Sequence, residues 1–269
     1  MGSSGMRVGT LNLASGRGPA GASLDGPGLA AALAGLDLDV LAVQEVDVGQ
    51  ARSHGLSQPA VVAAAIGATD WRFAATVDGT PDPFRSWRPA DPVVLGGPED
   101  DLAGPRYGIA LCSRLPVRRW SVQALGAGRA RLPIKAPDPR TGIARWWWFP
   151  DEPRVAVAAE LEDCTVVGTH LSFAPHTAVR QLVRLRRWAR RLPGPVLLAG
   201  DLNLMGPAPA GVAGGRRLVT APTYPAHAPR LQFDHLLALG ALTASDVAVR
   251  ELGVGDHRLV TATVHPACA

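Results

Sequence analysis

Cysteine is scarce. The 269 residues include three, Cys112, Cys164 and Cys268, with no CxxC pair among them. An odd, dispersed set excludes a disulfide scaffold and argues for free thiols in a reducing compartment, so a cytoplasmic location is expected. Long apolar runs are missing too. No stretch reaches the ~20 apolar residues that a membrane-spanning helix needs. The N-terminus lacks a basic segment followed by an apolar one, so no secretory signal is expected. Met1–Gly5 reads as an artificial leader ahead of Met6. There is no glycine-rich phosphate loop and no GxSxG elbow, which sets aside P-loop chemistry and the serine-hydrolase turn. Internal repeats and linker-like segments are also lacking, so residues 6–269 are expected to form one domain.

Apolar residues make up 47% of the chain, enough for a sizeable core. The net charge of +4 and pI near 9.5 suit an anionic substrate without demonstrating nucleic-acid binding. The most informative stretch is Val196-Leu-Leu-Ala-Gly-Asp-Leu-Asn203. Its four apolar residues predict a buried strand, and Asp201 and Asn203, two apart, reach the same side just beyond it. Further strands are predicted at 7–13, 38–45, 107–114, 154–161, 165–171, 233–239, 244–249 and 259–264. Helices are predicted at 29–36, 59–66 and 177–192. In the last of these, Ala178, Leu182, Leu185, Ala189 and Leu192 form an apolar stripe. Arg180, Arg184, Arg187 and Arg191 lie opposite and read as a solvated face rather than a nucleic-acid patch. Residues 78–106 and 126–153 have no period and are expected to be irregular. The run Trp146–Phe149 inside the second reads either as a substrate- or membrane-touching loop or as a cover on the edge of the fold.

Polar residues recur where buried strands end: Asn12, Glu45, His170, Asp201, Asn203, Asp234, Asp256 and His257. Such groups converge on one rim in α/β proteins. The set offers oxygen ligands and no thiolate, which favours Mg²⁺, with Mn²⁺ or Ca²⁺ as alternatives, over structural zinc. Two histidines among carboxylates suit acid–base work at phosphorus.

Seven segments stand in an order that resembles the endonuclease/exonuclease/phosphatase superfamily. They are Thr10-Leu-Asn-Leu13, Gln44-Glu45, Tyr107–Arg114, Gly168-Thr-His-Leu171, Gly200-Asp-Leu-Asn203, Phe233-Asp-His-Leu236 and Gly255-Asp-His257. The resemblance spans about residues 7–264. It implies a four-layer α/β sandwich of two packed mixed sheets flanked by helices, DNase-I-like, with the site on the rim. It implies that Glu45 is the main metal ligand, with Asn12 and Asp256 close by. Asp201 and Asn203 would orient or activate water and contact the phosphate. His257 would be the base or phosphate-polarising group, held by Asp234; His170 would bind the phosphate or help the leaving group, and Tyr107 would contact the phosphate. Two positions depart from the pattern. Gly104-Pro-Arg106 lacks the acidic residue that pairs with the first histidine in nuclease members, which leaves His170 without a visible orienting partner. Ala14 stands where abasic-site enzymes carry an aspartate.

The resulting expectation is a Mg²⁺-dependent phosphoester hydrolase. Phosphodiesters come first, as a nucleic acid or as a small diester or phospholipid headgroup. A phosphomonoesterase on a sugar, inositol or nucleotide phosphate is the alternative, and a non-catalytic binding protein on the same fold is the alternative of another class. No protein partner is indicated.

Overall fold

A computed structural model describes residues 5–84, 86–90, 95–102, 104–138, 141 and 143–267. Along the chain run β1 (Met6–Asn12), α1 (Gly26–Leu33), β2 (Val40–Val48), α2 (Gln58–Ile66), β3 (Asp70–Asp78), β4 (Arg88–Pro89), β5 (Leu95–Gly96), β6 (Arg106–Ser113), β7 (Arg119–Gly126), β8 (Arg131–Pro137), β9 (Ala144–Pro150), β10 (Arg154–Glu160), β11 (Thr165–His170), α3 (Pro175–Ala189), β12 (Val196–Asp201), α4 (Ala208–Ala213), β13 (Arg216–Arg217), β14 (Asp234–Leu239), β15 (Leu242–Arg250) and β16 (Leu259–Pro266).

The strands build two large mixed sheets. One has the order β15-β16-β1-β2-β6-β3-β4, with β5 also on β3; the other runs β13-β14-β12-β11-β10-β7. Within them β1 lies parallel to β2 and β11 parallel to β12. Strands that are apolar on both sides need cover on both sides, and the packing supplies it. Val8, Val40, Ala42 and Leu111 of the first sheet meet Val155, Val157, Leu197 and Ala199 of the second. Leu41, Val43 and Phe73 face Leu29 and Leu33 of α1 and Val62 and Ile66 of α2. Ala158, Val167 and Leu198 face Leu182 and Leu185 of α3 and Ala213 of α4. The result is the expected helix–sheet–sheet–helix sandwich.

The helix ends explain themselves. Asp25 caps α1 by accepting from Gly28 N at 2.8 Å, so that helix starts at Gly26, ahead of the expected 29. Pro175 at the first turn of α3 fits because its missing N–H would have no partner there. Ala178, Leu182, Leu185 and Ala189 are buried, while Arg180, Arg184, Arg187 and Arg191 are exposed, as the stripe predicts.

Other expectations are corrected. Residues 70–78 and 119–126, read as no element, are the sheet strands β3 and β7. The span 126–153 is not irregular, because β8 and β9 pair as a separate two-stranded ribbon. In β9 Trp146 and Trp148 are exposed while Trp147 and Phe149 are half-buried, but all four are aromatic, so no apolar/polar period marks the strand. Trp146 and Trp148 are 68% and 59% exposed, and Trp147 packs edge-on against Phe84 at 4.9 Å. Strand β2 does not stop at Glu45 but continues to Val48. Cys112 and Cys164 are free and buried, their thiols pushed up to about 12 and about 11 by burial, which makes them inert. Cys268 and Met1–Ser4 lie outside the described residues. Among the described residues no helix is long and apolar enough to cross a membrane.

Candidate active site on the sandwich rim

Sheet register places three of the expected residues in a row. His170 on β11 lies beside Asp201 on β12, and Asp201 lies opposite Asp234 on β14. Directly paired residues point to the same face, so the three side chains share one side of the rim. Gly200 permits the tight spacing, because a Cβ there would lie 2.0 Å from the Thr169 carbonyl oxygen. Just past the strand, Asn203 adopts φ +50°, and its N–H donates to Asp201 Oδ1 at 2.9 Å.

The first sheet contributes Asn12 and Glu45. Glu45 is the extra residue of a β-bulge: Gln44 pairs with Ile109 and Val46 with Gly108. Its φ of +54° is unusual for a non-glycine residue, a conformation that costs of order 1–3 kcal/mol and clusters at functional sites. The bulge throws the carboxylate out of the ladder towards Asn12, whose Nδ2 donates to Glu45 Oε1 at 2.9 Å and to Asp201 Oδ2 at 3.0 Å. Asn12 thereby ties the two sheets together at the site.

The loop before β16 delivers the last two residues. Gly255, at φ +74°, sits so close to the end of β1 that a Cβ would lie 2.6 Å from Asn12 O. His257 Nδ1 donates to Asp234 Oδ2 at 2.7 Å, with the Tyr224 ring 4.8 Å away. Nε2 of His257 is 3.8 Å from Asp201 Oδ2, and Nε2 of His170 is 3.6 Å from the same oxygen. Both gaps exceed a hydrogen bond, so Asp201 Oδ2 lies close to both imidazoles without bonding to either. Asp256 is half-buried, and its charge acts on His257 and Tyr224.

The electrostatics separate the groups. Burial pushes the Asp201 carboxyl up to about 7. Burial opposes charge on His257, but the Asp234 and then the Asp201 carboxylates outweigh it and raise the imidazole to about 10. Burial first, and then the Arg154 and His257 charges, hold His170 well below its ordinary value. Tyr107 is buried with Arg52 stacked 5.6 Å above its ring, and its hydroxyl is raised, by burial and then by Glu45, so it stays protonated. Arg52 is itself held by two bonds to buried Asp47 at 2.9 and 2.8 Å.

One partner is new. Arg154, at the start of β10, places Nη1 2.9 Å from His170 Nδ1, with Nη2 3.8 Å from Glu152 Oε2. Burial lifts Glu152 to about 7 against the pull of Arg154. The sequence reading missed both residues. The available signal was a charged residue opening an apolar strand whose antiparallel neighbour ends at His170.

Among the described residues one cluster of carboxylate and imidazole groups is close enough to hold a metal. Asp201, Asp234 and His257 bring ligand atoms within 4.8 Å of one another. In that set, however, Asp234 Oδ2 and His257 Nδ1 are bonded to each other, and a cationic imidazole is no ligand. Glu45, bonded to Asn12 at 2.9 Å, is a further carboxylate on this rim, and a hard oxygen donor of this kind would suit a divalent cation. Asp234 Oδ1 is buried without a partner, so the negative charge of that carboxylate is answered only through His257.

A stability consequence follows from His257. Its folded value of about 10 lies above the ordinary 6.5. The contribution is therefore fully present below about 6.5 and is lost as pH rises through about 10. Thermal melts across pH 6–11 should show this alkaline loss in the native protein, and Asp234→Asn should flatten it. An equal alkaline slope in both would remove the pair as its source.

A sequence-family model described as Endonuclease/Exonuclease/phosphatase family matches residues 9–257. No curated protein matches the sequence. Among solved structures, an endonuclease/exonuclease/phosphatase from Beutenbergia cavernae DSM 12333 is 21% identical, with TM-score 0.65, covering 99% of this chain and 73% of that one. A mannosyl-6-phosphatase of Bacteroides thetaiotaomicron VPI-5482 is 13% identical, with TM-score 0.57, covering 97% and 99%. Sphingomyelinase C from Streptomyces griseocarneus is 16% identical, with TM-score 0.51, covering 99% and 100%.

Proposed function

The chain belongs to the endonuclease/exonuclease/phosphatase family, whose members hydrolyse phosphoester bonds, and from that premise we propose that it is a Mg²⁺-dependent phosphodiesterase acting at the rim around Asp201. The observation that carries the reading is the placement of Asp201 Oδ2 close to the Nε2 atoms of two differently charged imidazoles, at 3.6 and 3.8 Å. Water held there meets a carboxylate that titrates near neutrality, the right range for a general base. Asn203 orients that carboxylate through its backbone N–H. His257, kept cationic by Asp234, offers Nε2–H to the phosphoryl oxygens as negative charge develops on them. His170 and Tyr107 complete the donor set. Mg²⁺ held by Glu45, Asn12 and Asp256 supplies Lewis-acid stabilisation of the same charge when bound.

A diester is the first substrate class to test and a monoester the alternative: the carboxylates Glu45, Asp201, Asp234 and Asp256 are opposed by His257, Arg154 and Arg52, so charge alone does not separate the two. The test is a panel assayed with Mg²⁺: bis(4-nitrophenyl) phosphate, 4-nitrophenyl phosphate, a single-stranded oligonucleotide and a choline phospholipid, each with His257→Ala as the control. Turnover of diesters that disappears in the variant is the expected result. Preference for the monoester would transfer the reading to a phosphatase, and no turnover of any member would leave a binding protein on this fold.

A further inference from the structure

Arg154, the partner of His170, has the opposite sign to the acidic residue of the family pattern. A carboxylate accepts, whereas a guanidinium only donates. The His170 Nδ1 that faces Arg154 Nη1 at 2.9 Å must therefore be the unprotonated nitrogen, and the ring hydrogen resides on Nε2. That nitrogen faces the space beside Asp201 Oδ2 and Asn203. Asn203 Nδ2, which donates one hydrogen to Leu171 O at 3.0 Å, also lies 3.3 Å from Nε2; a neutral ring accepts at one nitrogen only, and Arg154 Nη1 at 2.9 Å is the shorter of the two contacts.

We propose that Arg154 is a positioning residue that locks His170 as the neutral Nε2–H tautomer, making it a fixed hydrogen-bond donor to the phosphoester and never a proton acceptor. This rests on the reading of the rim as the hydrolytic site. The two histidines then have opposite wiring. Asp234 accepts from Nδ1 of His257, while Arg154 donates to Nδ1 of His170. Arg154 is 6% exposed and His170 4%, so bulk water cannot substitute for either partner. A buried guanidinium is costly to keep. Among the described residues its one ion pair is Glu152 at 3.8 Å, with Asp151 and Glu45 acting from farther off, and its Nε has no hydrogen-bond partner. A side chain present only to brace the strand would be better served by an apolar residue of the same length. The groups facing the His170 ring are Arg154 from β10, Asp201 and Asn203 from the end of β12, and His257 from the last loop. Two of these are cationic, which also keeps a third positive charge off the ring.

Long-range ¹H–¹⁵N spectra of the histidines read the tautomer without any turnover. The native protein should show His170 with Nδ1 unprotonated and Nε2 protonated from pH 5 to 8. Arg154→Met, which deletes the donor, should give mixed tautomers and lower kcat by on the order of 10- to 100-fold, as removal of a histidine's orienting partner does. Arg154→Lys, which keeps a donor, should restore the single tautomer and most of kcat, with KM little changed. A native spectrum with Nδ1–H, or Arg154→Met with unchanged spectrum and kcat, would overturn the proposal. Should Arg154→Met fail to fold, the native spectrum and the lysine variant still decide it. A native enzyme inactive on every phosphoester but with His170 locked would sink the hydrolase reading and leave the Arg154 lock standing.

Discussion

His257→Ala is expected to lower kcat by ~10²–10⁴, the range for loss of an acid–base group. The substitution removes a cation and a donor together from the space beside Asp201 Oδ2. Asp234 should act through it. The 2.7 Å bond fixes the ring orientation and sustains its charge, so Asp234→Asn should also cost much of kcat. Because the two work as a unit, the double variant should be scarcely slower than His257→Ala alone. Stability supplies an independent check. Asp234 is fully buried and Oδ1 has no other partner, so His257→Ala strands a carboxylate in the interior. The double variant removes that charge and should melt higher than His257→Ala. A cycle on kcat/KM, with circular dichroism and melting curves, measures both. Multiplicative losses in kcat/KM would mean that the two residues act independently, and the pair would have to be given up.

Chelation should abolish activity, and Glu45→Gln should raise the Mg²⁺ concentration needed for half-maximal turnover. The amide keeps an oxygen to accept from Asn12 Nδ2 but loses the charge that attracts the ion. Loss of a direct ligand should exceed the ~10–100-fold typical of losing an outer partner. Folding should barely notice, since Glu45 is only half-buried and stands outside the ladder. A metal titration of both proteins, with melting curves alongside, is the measurement. Undiminished turnover in excess EDTA would show that no divalent ion takes part, and an unchanged Mg²⁺ midpoint in Glu45→Gln would place the ion elsewhere.

The sandwich and most of the rim could be read from the chain because their signals are local. Buried strands such as Val196–Asp201 announce themselves as apolar runs, and the polar residues ending them are brought together by register alone. What escaped depends on geometry between strands. Val40–Val48 contains no glycine or proline to mark a break, so the bulge at Glu45 leaves no trace in composition. Arg154 lies 16 residues before His170 and reaches it only because β10 and β11 run antiparallel. Its neighbour Glu152 was lost inside a span read as irregular. The β8–β9 ribbon stands apart from the two large sheets, and Trp146–Phe149 is aromatic at exposed and half-buried positions alike, so there is no hydrophobic period to detect.

Glu45 has a further property: it is the one residue of β2 that the sheet does not need. Val43, Val46 and Val48 all face the helical layer. Counted without residue 45, they fall on alternate positions, as in an unbroken strand. Gln44 and Val46 already stand opposite successive residues of β6, Ile109 and Gly108. Excising one codon would therefore close β2 into a regular strand, leave every core side chain on its present side, and discard the strained backbone. It would also take away the carboxylate. A sandwich that had lost this carboxylate by such a deletion would be recognisable by a strand β2 one residue shorter rather than by any change in its core.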